Sequence, residues 1–330
     1  MRIGLDAMGG DFAPREVIRG AQLGLRYLSA DDRLVLFGPR EVVEAECGSI
    51  GLSDARISFQ HCPEVIGMDE SPLEALRQKR RASIVQMAVA AADDQLDAVI
   101  SAGNTGAFAA ACQLKIGALD GASRPGIAVA IPSFHGPVLV CDVGANVAPK
   151  PHHLHEYARM CVCYSRLILK VANPRVGLMS IGEEAGKGSA LVKEAGRLLE
   201  QDVGLPFVGN VEGRDLFAGQ CDIAICDGFV GNVILKLTEG LAEGLFKTIV
   251  QEIKDESADL LPRFEPIVDR IWGRHDFAEY GGAPLLGLRR TAIICHGRSD
   301  GRAISNAIRV AVEQLRSNLV GVVAEALKQE

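Results

Sequence analysis

Short apolar runs alternate with longer stretches along most of this chain. Residues 2–6 (RIGLD), 34–37 (LVLF), 97–101 (DAVIS), 127–131 (IAVAI), 138–142 (VLVCD), 176–181 (VGLMSI), 222–226 (DIAIC) and 292–295 (AIIC) are apolar at odd and even positions alike. A strand of that kind suits a sheet covered on both faces. The stretches 73–92, 105–117, 153–171, 189–201, 231–254 and 302–327 between them read as helices. Strand–helix alternation predicts a largely parallel α/β sheet between helical layers. Ligands of such sheets bind beyond the carboxyl ends of the strands.

Residues 231–275 follow another rhythm. Ile234, Leu237, Leu241, Leu245, Ile249 and Ile253 recur at three- and four-residue spacing and form one apolar stripe. Pro262 and Pro266 are expected to break the helix, and PIVDRIW resumes it. This reads as a helical hairpin with its tip near Leu260, Leu261 and Phe264. The stripe suits packing on the main body or dimerisation, and the tip is open to membrane contact. At 330 residues the chain is read as one α/β unit, 1–330, with a central cleft and the hairpin as an insertion.

Charge and cysteine content narrow the function. The net charge of −7 speaks against sequence-independent nucleic-acid binding. The opening MRIGLDAMGGD has no cationic segment followed by an apolar one, so a cytoplasmic location is expected. The nine cysteines are irregularly spaced and include no C-x-x-C pair, which points to buried thiols and no metal. His152 and His155 lie three apart, but a position on a helix surface explains them better than a metal site.

Glycine is the compositional outlier, with 36 residues, about 11% against a usual ~7%. The glycines gather after predicted strands. DAMGGD places Asp6, Gly9, Gly10 and Asp11 where backbone can approach a ligand closely. SAGNTGA places Ser101, Gly103, Asn104, Thr105 and Gly106 at the start of a helix, a phosphate-sized anion site in which amides and hydroxyls converge. IGEEAGKG supplies Glu184 and Lys187, the latter a point charge suited to phosphate. CDGFVGN supplies Asp227 and Asn232, whose amide could donate to an oxyanion. Asp142 and Asn146 in DVGAN and Asn210 and Glu212 in GNVEGRD join the predicted cleft lining, beside YGGAPLLG and HGRSDGRA. Any one loop reads equally as a tight turn; so many together suggest a cleft lined by backbone. There is no G-x-S-x-G elbow, no cysteine with a recognisable catalytic histidine partner and no dinucleotide fingerprint.

DAMGGD, PEVIGMDESP (63–72), SAGNTGA, DVGANV, KPHHL, IGEEAGKG, GNVEGRD, CDGFVGNVILK, YGGAPLLG and HGRS, in this order, resemble the bacterial phosphate acyltransferases of phospholipid synthesis, from residue 1 to about residue 325. The segment VAPKPHHLHEY departs locally from the family pattern and receives no catalytic role. The resemblance implies a three-layer α/β/α fold like the isocitrate/isopropylmalate dehydrogenases and phosphotransacetylases, with a projecting helical hairpin at a homodimer interface. It implies transfer of a fatty acyl group from acyl carrier protein to inorganic phosphate without a cofactor, for a membrane glycerol-3-phosphate acyltransferase to consume, and a place in the cytoplasm or at the inner face of the membrane. The residues suit that reaction. Phosphate needs orientation more than deprotonation, and a thiolate leaves readily.

Lys187 and the SAGNTGA loop are then expected to hold phosphate. Asn232 and the amides of DGFVGN would face the oxyanion, and Glu184 and Asp227 would orient donors. Arg77, Lys79, Arg80 and Arg81, or Arg263, Arg270 and Arg274, offer cations for the acidic carrier. Two other readings stay open: a phosphotransacetylase acting on a small acyl-CoA, and a non-catalytic lipid-binding scaffold.

Overall fold

The computed structural model describes residues 1–256, 261–275 and 277–328. Its strands are β1 Arg2–Asp6, β2 Arg33–Gly38, β3 Ile57–His61, β4 Ala98–Ser101, β5 Gly126–Ile131, β6 Val138–Cys141, β7 Val176–Met179, β8 Phe207–Val211, β9 Ile223–Ile225, β10 Ala283–Leu286 and β11 Thr291–Ile294. Its helices are α1 Arg15–Gly24, α2 Arg40–Ser49, α3 Pro72–Gln78, α4 Ser83–Ala92, α5 Thr105–Lys115, α6 Pro151–Leu167, α7 Ala190–Gln201, α8 Asp215–Ala218, α9 Gly228–Glu256, α10 Leu261–His275, α11 Gly301–Arg316 and α12 Leu319–Lys328.

All described strands join one sheet in the order β3-β2-β1-β4-β11-β10-β5-β6-β9-β7-β8. The first five are mutually parallel, and so are the last four. Antiparallel pairings of β10 with β11 and β5, and of β5 with β6, join these two blocks and reverse their sense. Each block presents the carboxyl ends of its strands as one loop cluster.

Side-chain alternation builds two cores. Ala98 and Ile100 of β4, Leu139 and Cys141 of β6, and Ile223 and Ile225 of β9 enter one core with α1, α6, α11 and α12. Val99, Val138, Val140 and Ala224 point the other way, into a core with α4 and α5. The fold is the expected three-layer α/β/α arrangement, because strands apolar at every position need helices on both sides.

Several predicted elements change on folding. The stretch 73–92 divides into α3 and α4, and 302–327 divides into α11 and α12, with Asn318 in a left-handed conformation at the second break. Pro262 and Pro266 do not interrupt α10: one sits in its first turn, where amides lack helical partners, and the other is accommodated inside. The stripe also behaves differently. Ile234 packs against the core, but Leu237, Leu241, Leu245 and Ile249 are 67, 58, 55 and 46% exposed, so most of the stripe does not pack on the main body. Helix α10 lies along α9 and exposes Phe264, Ile267 and Ile271. The predicted tip at Leu260 and the side chain of Leu261 lie outside the described residues. No described helix is long and apolar enough to cross a membrane.

Leu139 is fully buried between β6 and the first core. Leu139→Ala is expected to cost about 2–5 kcal/mol in urea unfolding, through lost transfer energy and an unfilled cavity. A loss below about 1 kcal/mol would contradict the packing assigned to this strand.

Candidate active site

The loop cluster of the first block is organised by a buried carboxylate. Asp6 ends β1, and Ser101 at the end of β4 donates its hydroxyl to Asp6 Oδ2 at 2.7 Å. The same Ser101 oxygen accepts from the Gly103 amide at 3.0 Å. Burial pushes the Asp6 carboxyl above the ordinary carboxylate range, opposed by hydrogen bonds from Ser83, Ser101 and Met8. Gly9 fits this knot because a Cβ there would lie 2.6 Å from the Gly103 nitrogen. The Asp11 amide donates to the Gly297 carbonyl at 2.7 Å, and the Cys295 amide to the Ser101 carbonyl at 2.8 Å. DAMGGD, SAGNTGA and the HGRS loop after β11 therefore form one assembly.

This assembly divides the predicted phosphate residues. Ser101 is buried and committed to Asp6 and Gly103. Asn104 caps α5 by accepting from the Ala107 amide, and its Nδ2 donates toward the carbonyls of Gly67, Met68 and Glu70. Its side chain is a clamp on the 63–72 segment, not a free anion ligand. Thr105 and Gly106 are exposed in the first turn of α5, and their amides have no acceptor among the described residues. They keep these donors at the exposed start of α5, where an anion can reach them. Gly10 and Asp11 line the same rim, with Asp11 exposed.

The second block repeats the plan. Asp142, just beyond β6, is buried. Its Oδ1 accepts from the amides of Ile127, Gly144 and Ala145 at 3.0–3.1 Å, and its Oδ2 from the Asn146 amide at 2.6 Å. Burial pushes this carboxyl up, and those amides pull against it. Asn146 is buried too, donating to the Pro125 carbonyl and the Tyr157 hydroxyl. Asp142 and Asn146 were expected to line the cleft; they are internal braces, because the DVGAN loop needs acceptors for its own amides. Asn210 also braces, donating to the Glu184 carbonyl at 2.9 Å. Arg214 ties Glu183 to Glu212 at 3.6 and 3.5 Å. Glu184 and Lys187 are exposed on the loop so held, and Lys187 Nζ has no partner among the described residues.

Helix α9 starts from this second cluster. Asp227 caps it, its Oδ1 accepting from the Phe229 and Val230 amides at 2.9 Å each. The Gly228 amide donates to the Asn146 carbonyl, and the Gly231 amide to the Asp227 carbonyl. All four amides are thus spent, which corrects the expectation that the DGFVGN backbone faces an oxyanion. Asp227 is likewise committed as a cap. Gly231 lets α9 lie against the DVGAN loop, since a Cβ there would overlap the Asp142 carbonyl oxygen. Asn232 is exposed on the same turn and keeps its side-chain amide. Eight residues beyond Gly228, about 12 Å along the helix, Lys236 Nζ lies 3.4 Å from His296 Nε2 in the HGRS loop. Helix α9 therefore bridges the two loop clusters. Lys236 and His296 carried no role in the sequence reading; the helical spacing from Gly228 was the one available signal.

Other candidates are accounted for structurally. All nine cysteines are buried, and burial pushes the Cys62 thiol up to about 11 and that of Cys295 up to about 12. His155 and Arg159 both contact Asp202, at 2.8 and 2.6 Å, joining α6 to the end of α7. No group of three or more His, Cys, Asp or Glu is placed to hold a metal among the described residues. Two open cavities, about 630 Å³ along α1 and about 330 Å³ behind the IGEEAG loop, include none of Thr105, Lys187 or Asn232.

The family described as "Fatty acid synthesis protein" matches residues 1–321. The phosphate acyltransferase of Pelotomaculum thermopropionicum is 44% identical over 97% of this chain and 93% of its own length. The phosphate acyltransferase of Halothermothrix orenii is 43% identical over 100% and 99%. The chain belongs to the phosphate acyltransferase family. It is an acyltransferase of lipid biosynthesis. Among solved structures, a phosphotransacetylase from Streptococcus pyogenes superposes with a TM-score of 0.67 at 16% identity, covering 96% of this chain and 94% of that one. The EutD phosphotransacetylase from Staphylococcus aureus gives 0.62 at 15% identity, covering 95% and 94%. These two share the fold.

Asp6 supplies a test of the first cluster. A carboxyl whose folded pKa is raised above 3.8 adds stability as the neutral acid, and that stability is lost as pH rises through the folded value. Asn cannot ionise. Asp6→Asn is expected to gain on the wild type in urea midpoint as pH rises above about 4, the ordinary aspartate range. A difference that does not change with pH would contradict the environment assigned to Asp6.

Proposed function

We propose that this enzyme transfers a fatty acyl group from acyl-acyl carrier protein to inorganic phosphate, giving acyl phosphate for phosphatidic acid synthesis. The observation that carries the reading is the pair of loop clusters bridged by α9, which offer free cationic and amide donors but no activated nucleophile. Thr105, Gly106 and Lys187 hold phosphate. One phosphate oxygen attacks the thioester carbonyl, forming the new C–O bond and a tetrahedral oxyanion. Asn232 donates its side-chain amide to that oxyanion. Collapse breaks the C–S bond and releases the carrier as its thiolate, a good leaving group because the thiol pKa is near ~8.5. No protonated leaving group is needed, in keeping with buried cysteines and the absence of a serine–histidine pair among the described residues.

The acyl carrier protein is acidic and calls for a basic docking face. Arg77, Arg80 and Arg81 are exposed, and Arg270 is exposed on the hairpin. Lys79 leaves the set, because its Nζ is tied to the Val65 carbonyl and the Glu70 carboxylate. The side chains of Arg263 and Arg274 lie outside the described residues. The exposed stripe on α9 and the apolar face of α10 suit a second copy of the chain, giving a homodimer with the hairpin at its interface. A place in the cytoplasm, peripheral at the inner face of the membrane, suits delivery of an apolar acyl phosphate to a membrane glycerol-3-phosphate acyltransferase. The whole chain serves as one catalytic unit, with 231–275 as the insertion.

The test is thiol release from palmitoyl-acyl carrier protein with and without inorganic phosphate. Phosphate-dependent release with hydroxylamine-sensitive product is expected, and Lys187→Ala should lower the rate at least about tenfold, or ~1.4 kcal/mol, without lowering the unfolding midpoint. Turnover of acetyl-CoA in place of the carrier substrate would favour a phosphotransacetylase, and turnover of neither would favour a lipid-binding scaffold.

A further inference from the structure

One pair of side chains that bridges the two blocks faces donor to donor. His296 Nδ1 accepts from the Arg298 amide at 3.2 Å. A backbone amide can only donate, so Nδ1 carries the lone pair and the ring proton of the neutral imidazole sits on Nε2. That Nε2–H lies 3.4 Å from the Lys236 ammonium, which has no lone pair to offer. A protonated ring would make the conflict sharper, setting two cations together. Glu239 accepts one Lys236 hydrogen at 2.9 Å, leaving the others for an acceptor near the imidazole. Both side chains reach solvent, so neither is forced into the pairing by burial. An oxygen bearing negative charge, within reach of both donors, resolves the conflict.

We propose that Lys236 and His296 form a two-donor clamp for a phosphate-class oxyanion, closing the site across the two blocks. The placement supports this. His296 follows β11, whose Ile294 is in register with Ser101 of β4, so it flanks the loop that carries the free Thr105 and Gly106 amides. Lys236 arrives on α9 from the opposite cluster. Arg298, two residues on, is exposed and adds a further cation. The inference rests on the acyl-transfer reading for its ligand. Inorganic phosphate and the phosphodiester in the carrier's prosthetic arm offer the same chemistry.

The experiment follows the side-chain nitrogen resonances of His296 in the full-length protein during titration with inorganic phosphate, and measures steady-state kinetics in parallel. The His296 signal, assigned by its loss in His296→Gln, is expected to shift saturably in the wild type and not in Lys236→Met. In Lys236→Met and His296→Gln, a KM for phosphate raised at least about tenfold, with the KM for acyl-carrier substrate unchanged, assigns the clamp to inorganic phosphate. The reverse pattern assigns it to the phosphodiester. Lys247→Met removes a cation from the same helix away from the site and is expected to behave as wild type. A silent His296 signal together with both KM values within about twofold of wild type overturns the clamp. A phosphate-induced shift in a protein that makes no acyl phosphate would sink the acyl-transfer reading and leave the clamp standing.

Discussion

The two loop clusters depend on buried carboxylates set at the ends of central strands. Asp6 ends β1 and gathers Ser101 and, through it, Gly103. Asp142 follows β6 and gathers four backbone amides from three loop residues and one neighbouring strand. A buried polar group without water is costly unless its hydrogen-bonding sites are filled. Filling them with loop amides converts that cost into a restraint on backbone that would otherwise be mobile. The sheet forces the arrangement: with both faces covered, the strand ends are where backbone remains to be shaped. Loop residues that then keep free donors, Thr105, Gly106, Lys187 and Asn232, do so on a scaffold that holds their positions before a ligand arrives.

This preorganisation fits a reaction in which phosphate supplies the attacking oxygen and a thiolate departs. Donors fixed in advance need not reorganise as charge moves from phosphate to carbonyl oxygen to sulfur. The thiols of the chain take no part, because all nine are buried away from the loop clusters' exposed donors. Helix α9 matters to this geometry at both ends. Its first turn is pinned to the DVGAN loop through Asp227, Gly228 and Gly231, and its third turn reaches the HGRS loop through Lys236. Beyond that point it leaves the body with its apolar stripe exposed, so one helix links the site to the surface that suits a second copy.

Much of this was readable in the chain, for identifiable reasons. Strands such as IAVAI and VLVCD are apolar at every position, and that pattern survives folding because helices cover both faces. Strands β3 (ISFQH) and β8 (FVGNV) escaped because they lie at the sheet edges, where polar residues are tolerated and alternation is weak. Strand β10 escaped because APLL sits between glycines and contains a proline; its antiparallel place in the sheet tolerates both. The glycine-rich loops were found as a group, but the role of each residue was not. Ser101, Asn104, Asp142, Asn146 and Asp227 are polar residues in the right loops whose atoms are already committed to the protein. A sequence shows which residues can donate or accept, but not which of them the fold leaves unpaired.

The central claim is direct attack by phosphate, with no acyl group ever resting on the protein. Exchange of isotopically labelled free acyl carrier protein into palmitoyl-acyl carrier protein, with no phosphate present, tests it most directly. A covalent acyl-enzyme would carry label into the thioester pool, since the forward and return steps need only the carrier. Direct transfer predicts no exchange until phosphate is added. Rapid exchange in its absence would contradict the account.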